Sequence, residues 1–240
     1  MKPQIIGAYD GGAHNADLQI SDARLDKNAT YKDLSTVIIV PAKEAVPTKA
    51  VAAWWGMITP PNQKVCKLFA AGMEVGFAYE SVVQAVLDNP DLSKWKYILT
   101  LEHDNIPPAD GLIKLLERAE AHPEFDVIGG LYWTKGPGGV AQCWGNPNEH
   151  PINFKPQKPR LDGGLLEVNG TGMGFTLYRI EMFKDKRLRR PWFKSAASKE
   201  EGVFTQDLYF ALDAKKHGHR FAIDCSVKVG HLDLTADQVW

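Results

Sequence analysis

The sequence contains a run of five β-branched residues, Thr36-Val37-Ile38-Ile39-Val40, that stops at Pro41. A strand with one face in water alternates apolar and polar side chains, whereas an unbroken apolar run is typical of a strand buried on both faces. A strand of this kind needs helices on both sides of its sheet. The run therefore predicts an α/β fold in which residues 36–40 form a central strand.

The segments that follow alternate between helical and strand patterns up to about residue 132. Pro47 stands at the first position of a predicted helix, and Asn89-Pro90 ends a second one. The predicted helices cover 47–57, 73–87 and 112–119, and the predicted strands cover 64–70, 95–101 and 126–132. Such alternation is typical of a mostly parallel central sheet that is flanked by helices and joined by right-handed crossovers.

The second half of the chain breaks this alternation and predicts an α+β arrangement. Residues 134–159 are rich in Gly and Pro and show no clear period. The remaining predicted elements are two strand pieces within 165–178, a helix over 206–217, and final strands over 220–225 and 227–229. Gly218 is placed to end that helix.

The first 34 residues are polar and weakly patterned, so we expect an N-terminal arm over 1–34 with a short strand at Gln4-Ile5-Ile6. Residues 35–240 then form a single domain, because a chain of this length is large enough to bury one substantial core.

Composition and charge limit the classes of partner that we expect this chain to bind. The 240 residues carry 28 Lys+Arg and 29 Asp+Glu, for a formal net charge of −1. Without an excess of basic charge, binding to nucleic acid is not expected. The sequence has neither an apolar stretch of membrane-spanning length nor the pattern of a signal peptide, so we expect no membrane span. The three cysteines form no CxxC pair, which favours a reducing, cytoplasmic location.

Two carboxylates follow a predicted strand directly, in Leu101-Glu102-His103-Asp104-Asn105. Ligands of open α/β sheets bind at the carboxyl ends of the strands. If the chain stays extended, Glu102 and Asp104 point to the same side, where carboxylates can hold a divalent cation against phosphate groups. The alternative is an acidic loop that caps the next helix near Asp110.

Five motifs occur in an order that resembles the GT-A glycosyltransferases, especially their family 2-like members. They are Val-Pro-Ala-Lys-Glu at 40–44, Glu-His-Asp at 102–104, Asn-Gly-Thr-Gly-Met-Gly-Phe at 169–175, Gln-Asp-Leu-Tyr-Phe at 206–210 and Val-Gly-His at 229–231. The resemblance spans about residues 36–232. This chain departs from the family pattern in three places. Glu-His-Asp replaces the usual Asp-x-Asp, Ala78-Tyr79-Glu80 replaces Ala-Arg-Asn, and Gln206-Asp207 replaces Glu-Asp.

The resemblance implies a GT-A, Rossmann-like fold with a nucleotide-binding half over about 35–130 and an acceptor-binding half over about 131–240. It implies transfer of a sugar from a UDP- or GDP-sugar to a glycan, lipid or small-molecule acceptor, with Mn²⁺ or Mg²⁺ as cofactor. Asp104 and His231 are then the metal ligands, and Asp207 is the catalytic base. The donor-binding residues are Pro41, Ala42, Glu44, Glu102, His103, Asp104 and Gly172, and the acceptor-binding residues are Trp133, Gly170 and Thr171.

Several alternatives stay open from the sequence. Asp207 lies in the first turn of a predicted helix, where a carboxylate also stabilises the helix dipole. A single histidine after a strand, such as His231, is more often a surface or hydrogen-bonded residue than a ligand. With Asp207 as base, the transfer inverts the anomeric configuration. A retaining glycosyltransferase, a nucleotide-sugar-binding module with weak catalysis, and a nucleotidyltransferase are the other hypotheses.

Overall fold

The computed structural model describes residues 4–7, 32–43, 45–198 and 202–240. Its strands are β1 (Gln4–Gly7), β2 (Thr36–Ala42), β3 (Val65–Ala71), β4 (Tyr97–Leu101), β5 (Asn105–Ile106), β6 (Val127–Leu131), β7 (Cys143–Trp144), β8 (Leu165–Val168), β9 (Gly170–Thr171), β10 (Phe175–Arg179), β11 (Ala196–Ser198), β12 (Gly202–Phe204), β13 (Phe221–Lys228), β14 (Gly230–Asp233) and β15 (Gln238–Val239). Its α-helices are α1 (Thr48–Gly56), α2 (Val75–Asp88), α3 (Gly111–Ala121) and α4 (Gln206–Lys216), and 3₁₀ turns cover Leu92–Lys94 and Ile180–Lys184.

The centre of the fold is one eight-stranded mixed sheet with the strand order β1-β3-β2-β4-β10-β6-β13-β8. β2 is parallel to β3 and to β4, and β13 is parallel to β6. β1, β10 and β8 run antiparallel to their neighbours. Five of the eight strands therefore share one direction, which confirms the predicted α/β class with a mainly parallel sheet.

The antiparallel strand β10 lies between β4 and β6, inside the sheet, with Phe175 opposite Leu101 and Thr176 opposite Gly129. A parallel neighbour needs a crossover connection, usually through a helix. The chain between β6 and β10 forms short strands and turns but no helix. β10 consequently enters antiparallel, in agreement with the α+β second half that the sequence predicts.

Alternate residues of β2 point into two separate hydrophobic cores, as the β-branched run predicts. Val37 and Ile39 lie in a core with residues of α2 and α4. Ile38 and Val40 lie in the opposite core with residues of α1 and α3. Helices therefore cover both faces of the sheet.

Two predicted strand ends differ from the structure. β2 continues through Pro41 to Ala42, because its pairing with β4 stops at Ile39 while its pairing with β3 goes on. A strand with a partner on one side only can accommodate a proline. The two final strands predicted over 220–225 and 227–229 form one strand, β13, whose register shifts between Asp224 and Lys228.

The predicted strand near the N-terminus is confirmed, since β1 pairs antiparallel with β3. Residues 8–31, which make up most of the predicted arm, lie outside the described residues. None of the helices in the part of the chain that the structure describes is long and apolar enough to cross a bilayer.

The strand directions bring several loops to one edge of the sheet. β4, β6 and β13 all end at this edge, and β10 begins there. We call it the carboxyl edge. The loops after Leu101, Leu131 and Lys228 therefore meet the Gly-rich segment that precedes Phe175.

Truncation of Leu99, in the middle of β4, tests this central packing. Leu99 is completely buried, so Leu99→Ala should lower the free energy of unfolding by about 3 kcal/mol, through lost apolar contact and the cavity that remains. Urea denaturation measures the change. The matched Leu161→Ala variant, at a fully exposed leucine, should change it by no more than about 0.5 kcal/mol. Equal effects of the two changes would contradict the placement of β4.

Candidate active site

Most of the candidate residues lie at the carboxyl edge, on elements that are fixed by backbone pairing. Asp104 follows β4 and stands beside β5, which pairs with β14 so that His231 lies opposite Asn105. The amide of Leu232 donates to the carbonyl of Asp104 at 2.8 Å. These backbone contacts hold the side chains of Asp104 and His231 side by side.

Asp104 is mostly buried and has two cationic or potentially cationic neighbours. Its Oδ2 accepts a hydrogen bond from the Lys135 ammonium group and lies 3.7 Å from Nε2 of His231. Burial alone raises the pKa of this carboxyl, but the contacts with His231 and Lys135 outweigh burial and hold the pKa well below its usual range. Asp104 is therefore an anion across the physiological pH range.

His231 is held in one tautomer by the backbone. Its Nδ1 lies 2.8 Å from the carbonyl oxygen of Trp133, and a carbonyl only accepts, so Nδ1 carries the hydrogen. Nε2 is the nitrogen nearer Asp104. In the protonated ring its N–H points to that carboxylate, and in the neutral ring its lone pair is the one that a metal ion would take. Metal-binding histidines are oriented in this way, with the other ring nitrogen donating to a carbonyl or carboxylate.

Asp104 and His231 fit a divalent cation as a pair. Among the described residues there is no group of three or more His, Cys, Asp or Glu side chains placed to hold a metal. Mg²⁺ sites often use only one or two carboxylates and complete the coordination with substrate phosphates and water. Asp104 supplies one such carboxylate, and the oriented imidazole of His231 lies 3.7 Å from it, where it would favour a more nitrogen-tolerant divalent cation.

Glu102 is placed by a turn and not by strand alternation. The amide of Asn105 donates to the carbonyl of Glu102 at 3.0 Å, so the chain bends after β4 and the expected extended geometry is wrong. The Glu102 carboxylate accepts a hydrogen bond from the Tyr79 hydroxyl at 3.3 Å. Burial, with repulsion from Asp104 and Asp207, raises the pKa of Glu102 to about 7.

Asp207 lies in the first turn of α4. Its Oδ1 is buried and has no hydrogen-bond partner among the described residues. Burial raises the pKa of the carboxyl and outweighs the hydrogen bonds from Thr205 and Leu208. A carboxylate that served only the helix dipole would keep its oxygens in water or hydrogen-bonded, so the buried and unpartnered Oδ1 of Asp207 needs another explanation.

The Gly-rich segment between β9 and β10 is buried against its neighbours. A Cβ on Gly170 would lie 3.0 Å from that of Ala211, and a Cβ on Gly172 would lie 2.1 Å from the hydroxyl oxygen of Tyr132. Thr171 is also buried, opposite Cys143. The absence of side chains at both glycines is explained by packing, and the ligand contacts of Gly170, Thr171 and Gly172 stay predictions.

The other predicted residues are placed as follows. Pro41 is buried inside β2, and Ala42 is partly buried at its end. Glu44 lies outside the described residues. His103 is half-buried, and Trp133 is half-buried and contributes its carbonyl to His231.

Sequence reasoning missed Lys135 and misjudged Tyr79. Lys135 starts the segment Lys-Gly-Pro-Gly-Gly, four residues after a strand that ends at the carboxyl edge, and a lone lysine at the start of a glycine-rich loop was the available signal. Tyr79 stands where the glycosyltransferase pattern has an arginine, and its hydroxyl lies between Glu102 and the carbonyl of Met173. Only the fold shows that α2 delivers this hydroxyl to the site.

Comparison with known proteins adds evidence on the fold alone. No protein-family model matches the chain, and no curated protein matches it. The crystal structure of A197 from STIV is similar, with a TM-score of 0.58 and 18% sequence identity over 85% of this chain and 92% of that chain.

The buried carboxyl of Asp207 predicts a pH-dependent gain of stability in Asp207→Asn. A raised carboxyl pKa means that the folded protein binds more protons than the unfolded chain as the pH rises above the ordinary value of 3.8. Stability is therefore lost through that range. At pH 8 the neutral amide should raise the melting temperature by about 2–4 °C, which corresponds to about 1 kcal/mol, and the gain should vanish near pH 3.5.

Thermal denaturation between pH 3.5 and pH 8 measures this effect. The control is Asp88→Asn, at an exposed aspartate, which should show no comparable growth of the difference with pH. A lower melting temperature for Asp207→Asn at pH 8 would show that the carboxylate stabilises the fold.

Proposed function

We propose that this protein is a metal-dependent glycosyltransferase that moves a sugar from a nucleoside-diphosphate donor to an acceptor hydroxyl. The observation that carries the proposal is the buried Oδ1 of Asp207, which has no hydrogen-bond partner among the described residues and belongs to a carboxyl near enough to Glu102 to raise its pKa. Glu102 in turn lies beside the Asp104–His231 pair. The motif order in the sequence supports the same reaction class.

Asp104 and His231 are the residues that would hold the cation. Bound there, Mn²⁺ or Mg²⁺ supplies positive charge to the diphosphate, whose negative charge grows as its bond to the sugar breaks. His231 keeps its Nε2 lone pair available because Nδ1 is committed to the Trp133 carbonyl. Asp104 stays ionised because of its neighbours.

Asp207 is the group that would take the proton of the acceptor hydroxyl. A general base needs a free acceptor atom and a pKa closer to neutrality than that of an exposed carboxylate. Oδ1 of Asp207 has no competing hydrogen bond among the described residues, and burial raises the pKa of the group. Direct attack of the activated hydroxyl on the anomeric carbon inverts its configuration.

Glu102 has a different task in this scheme. With a pKa of about 7, it is partly protonated at neutral pH, so it adds less negative charge beside an incoming diphosphate than an ordinary glutamate. The Tyr79 hydroxyl fixes its position. The two carboxyls that follow β4 are thus pushed apart in pKa, a pattern that marks sites of acid–base chemistry.

A screen of UDP- and GDP-sugars with Mn²⁺ tests the proposal, with release of the nucleoside diphosphate and loss of the sugar donor as readouts. Asp207→Asn should leave donor affinity within about twofold and lower turnover by at least about 100-fold, because general-base catalysis contributes 10²–10⁴-fold. Asp104→Ala should lose metal-dependent nucleotide binding. Asp88→Asn is the matched control and should behave as the wild type.

Three results would count against parts of the proposal. Metal-dependent nucleotide binding by Asp104→Ala would show that the metal lies elsewhere. Full turnover by Asp207→Asn would remove the base assignment. Retention of the anomeric configuration in the product would rule out the inverting displacement.

A further inference from the structure

Among the described lysine and arginine side chains, only that of Lys135 forms an ion pair with Asp104. The same oxygen, Oδ2, faces both the Lys135 ammonium group and Nε2 of His231. About a third of the Lys135 side chain is exposed, whereas that of Asp104 is mostly buried. The lysine therefore covers the carboxylate from the solvent side.

The hairpin that carries Lys135 is fixed at its base. The amide of Thr134 donates to the carbonyl of Val140 at 2.9 Å, and the amide of Val140 donates to the Thr134 hydroxyl at 2.9 Å. Trp133 pairs with Ala141 directly below. The backbone of Lys135 is thus held beside the carboxyl edge, and the long side chain supplies the freedom to change partner.

The tip of this hairpin is a tight, glycine-rich turn. Gly136 and Gly138 have φ values of 95° and 82°, which few other residues adopt. The amide of Gly139 donates to the carbonyl of Gly136 at 3.0 Å, and a Cβ on Gly139 would lie 2.2 Å from the Thr134 carbonyl oxygen. Between Lys135 and Val140 the tip carries no side chain except that of Pro137.

A divalent cation and the Lys135 ammonium group cannot both contact Oδ2 of Asp104 closely, since each needs the oxygen lone pairs and the two charges repel. A metal ion held between Oδ2 of Asp104 and Nε2 of His231 therefore displaces the lysine. The phosphate oxygens of a metal-bound diphosphate would then be the nearest new partner for the displaced lysine. An ammonium group on a long, flexible side chain binds phosphate as a point charge.

We propose that Lys135 is a diphosphate-binding residue that holds Asp104 until a divalent cation takes its place and then transfers its hydrogen bond to the donor diphosphate. The inference rests on the proposed function for the identity of its ligand. The proposal assigns the Lys135 side chain two opposite effects on binding. Lys135 opposes binding of the metal alone, and it favours binding of diphosphate to the metal-loaded protein.

Titration calorimetry with Mn²⁺ alone, and then with pyrophosphate at saturating Mn²⁺, tests both effects without a sugar donor. Lys135→Met should bind Mn²⁺ about tenfold more tightly than the wild type and pyrophosphate about tenfold more weakly. Lys135→Arg keeps the cation and should bind pyrophosphate within about threefold of the wild type. Lys155→Met, which removes an exposed lysine 3.8 Å from Glu149, is the matched control and should change neither affinity.

A misfolded variant would weaken both affinities, so the opposite signs separate the proposed role from loss of structure. Unchanged Mn²⁺ affinity in Lys135→Met, or no detectable Mn²⁺ binding by either protein, overturns the competition. Tighter Mn²⁺ binding with unchanged pyrophosphate binding overturns the diphosphate contact. If both affinities shift as expected while no nucleotide sugar is turned over, the role of Lys135 stands and the glycosyltransferase proposal fails.

Discussion

The pairing of β10 with β4 is the contact on which the geometry of the site depends. With Phe175 opposite Leu101, the amide of Glu102 donates to the carbonyl of Gly174 at 3.0 Å, just beyond the end of the ladder. This hydrogen bond seats the Gly-rich segment against the end of β4. The amide of Gly174 also donates to the Tyr132 hydroxyl at 2.9 Å, which ties in the end of β6. A parallel β10 would place this segment at the opposite edge of the sheet.

Three carboxyl groups lie at the same edge, and their surroundings shift their pKa values in different directions. Asp104 is kept ionised by Lys135 and His231, while burial raises the pKa values of Glu102 and Asp207. One fully charged group thus stands near two groups that resist ionisation. This separation limits the mutual repulsion of the carboxyls, and it provides one strong ligand for a cation and one buried acceptor for a proton. In the proposed function, metal binding and proton transfer are therefore assigned to different residues for an electrostatic reason.

The sequence predicted the parts of this arrangement that depend on local patterns. The run at 36–40, the helix that starts before Asp207 and the carboxylates after β4 follow from periodicity and strand ends, and the structure agrees on their elements. The turn at Glu102 and the approach of Lys135 to Asp104 depend on which strands become neighbours, and no local pattern encodes that. The continuation of β2 through Pro41 also depends on strand neighbours, because β2 can include a proline only where its pairing with β4 has ended.

The near-neutral charge of the chain is consistent with a site that balances its own charges. In the structure Asp104 and Lys135 form a neutral pair. In the proposed function a divalent cation would add two positive charges and the diphosphate of a sugar nucleotide two negative ones, so these two groups with Asp104 and Lys135 would again sum to zero. Without Lys135 the same assembly carries one excess negative charge in a partly buried place, where an unbalanced charge is costly. In the proposed function, the lysine that covers Asp104 would thus also balance one negative charge of the bound metal–diphosphate assembly.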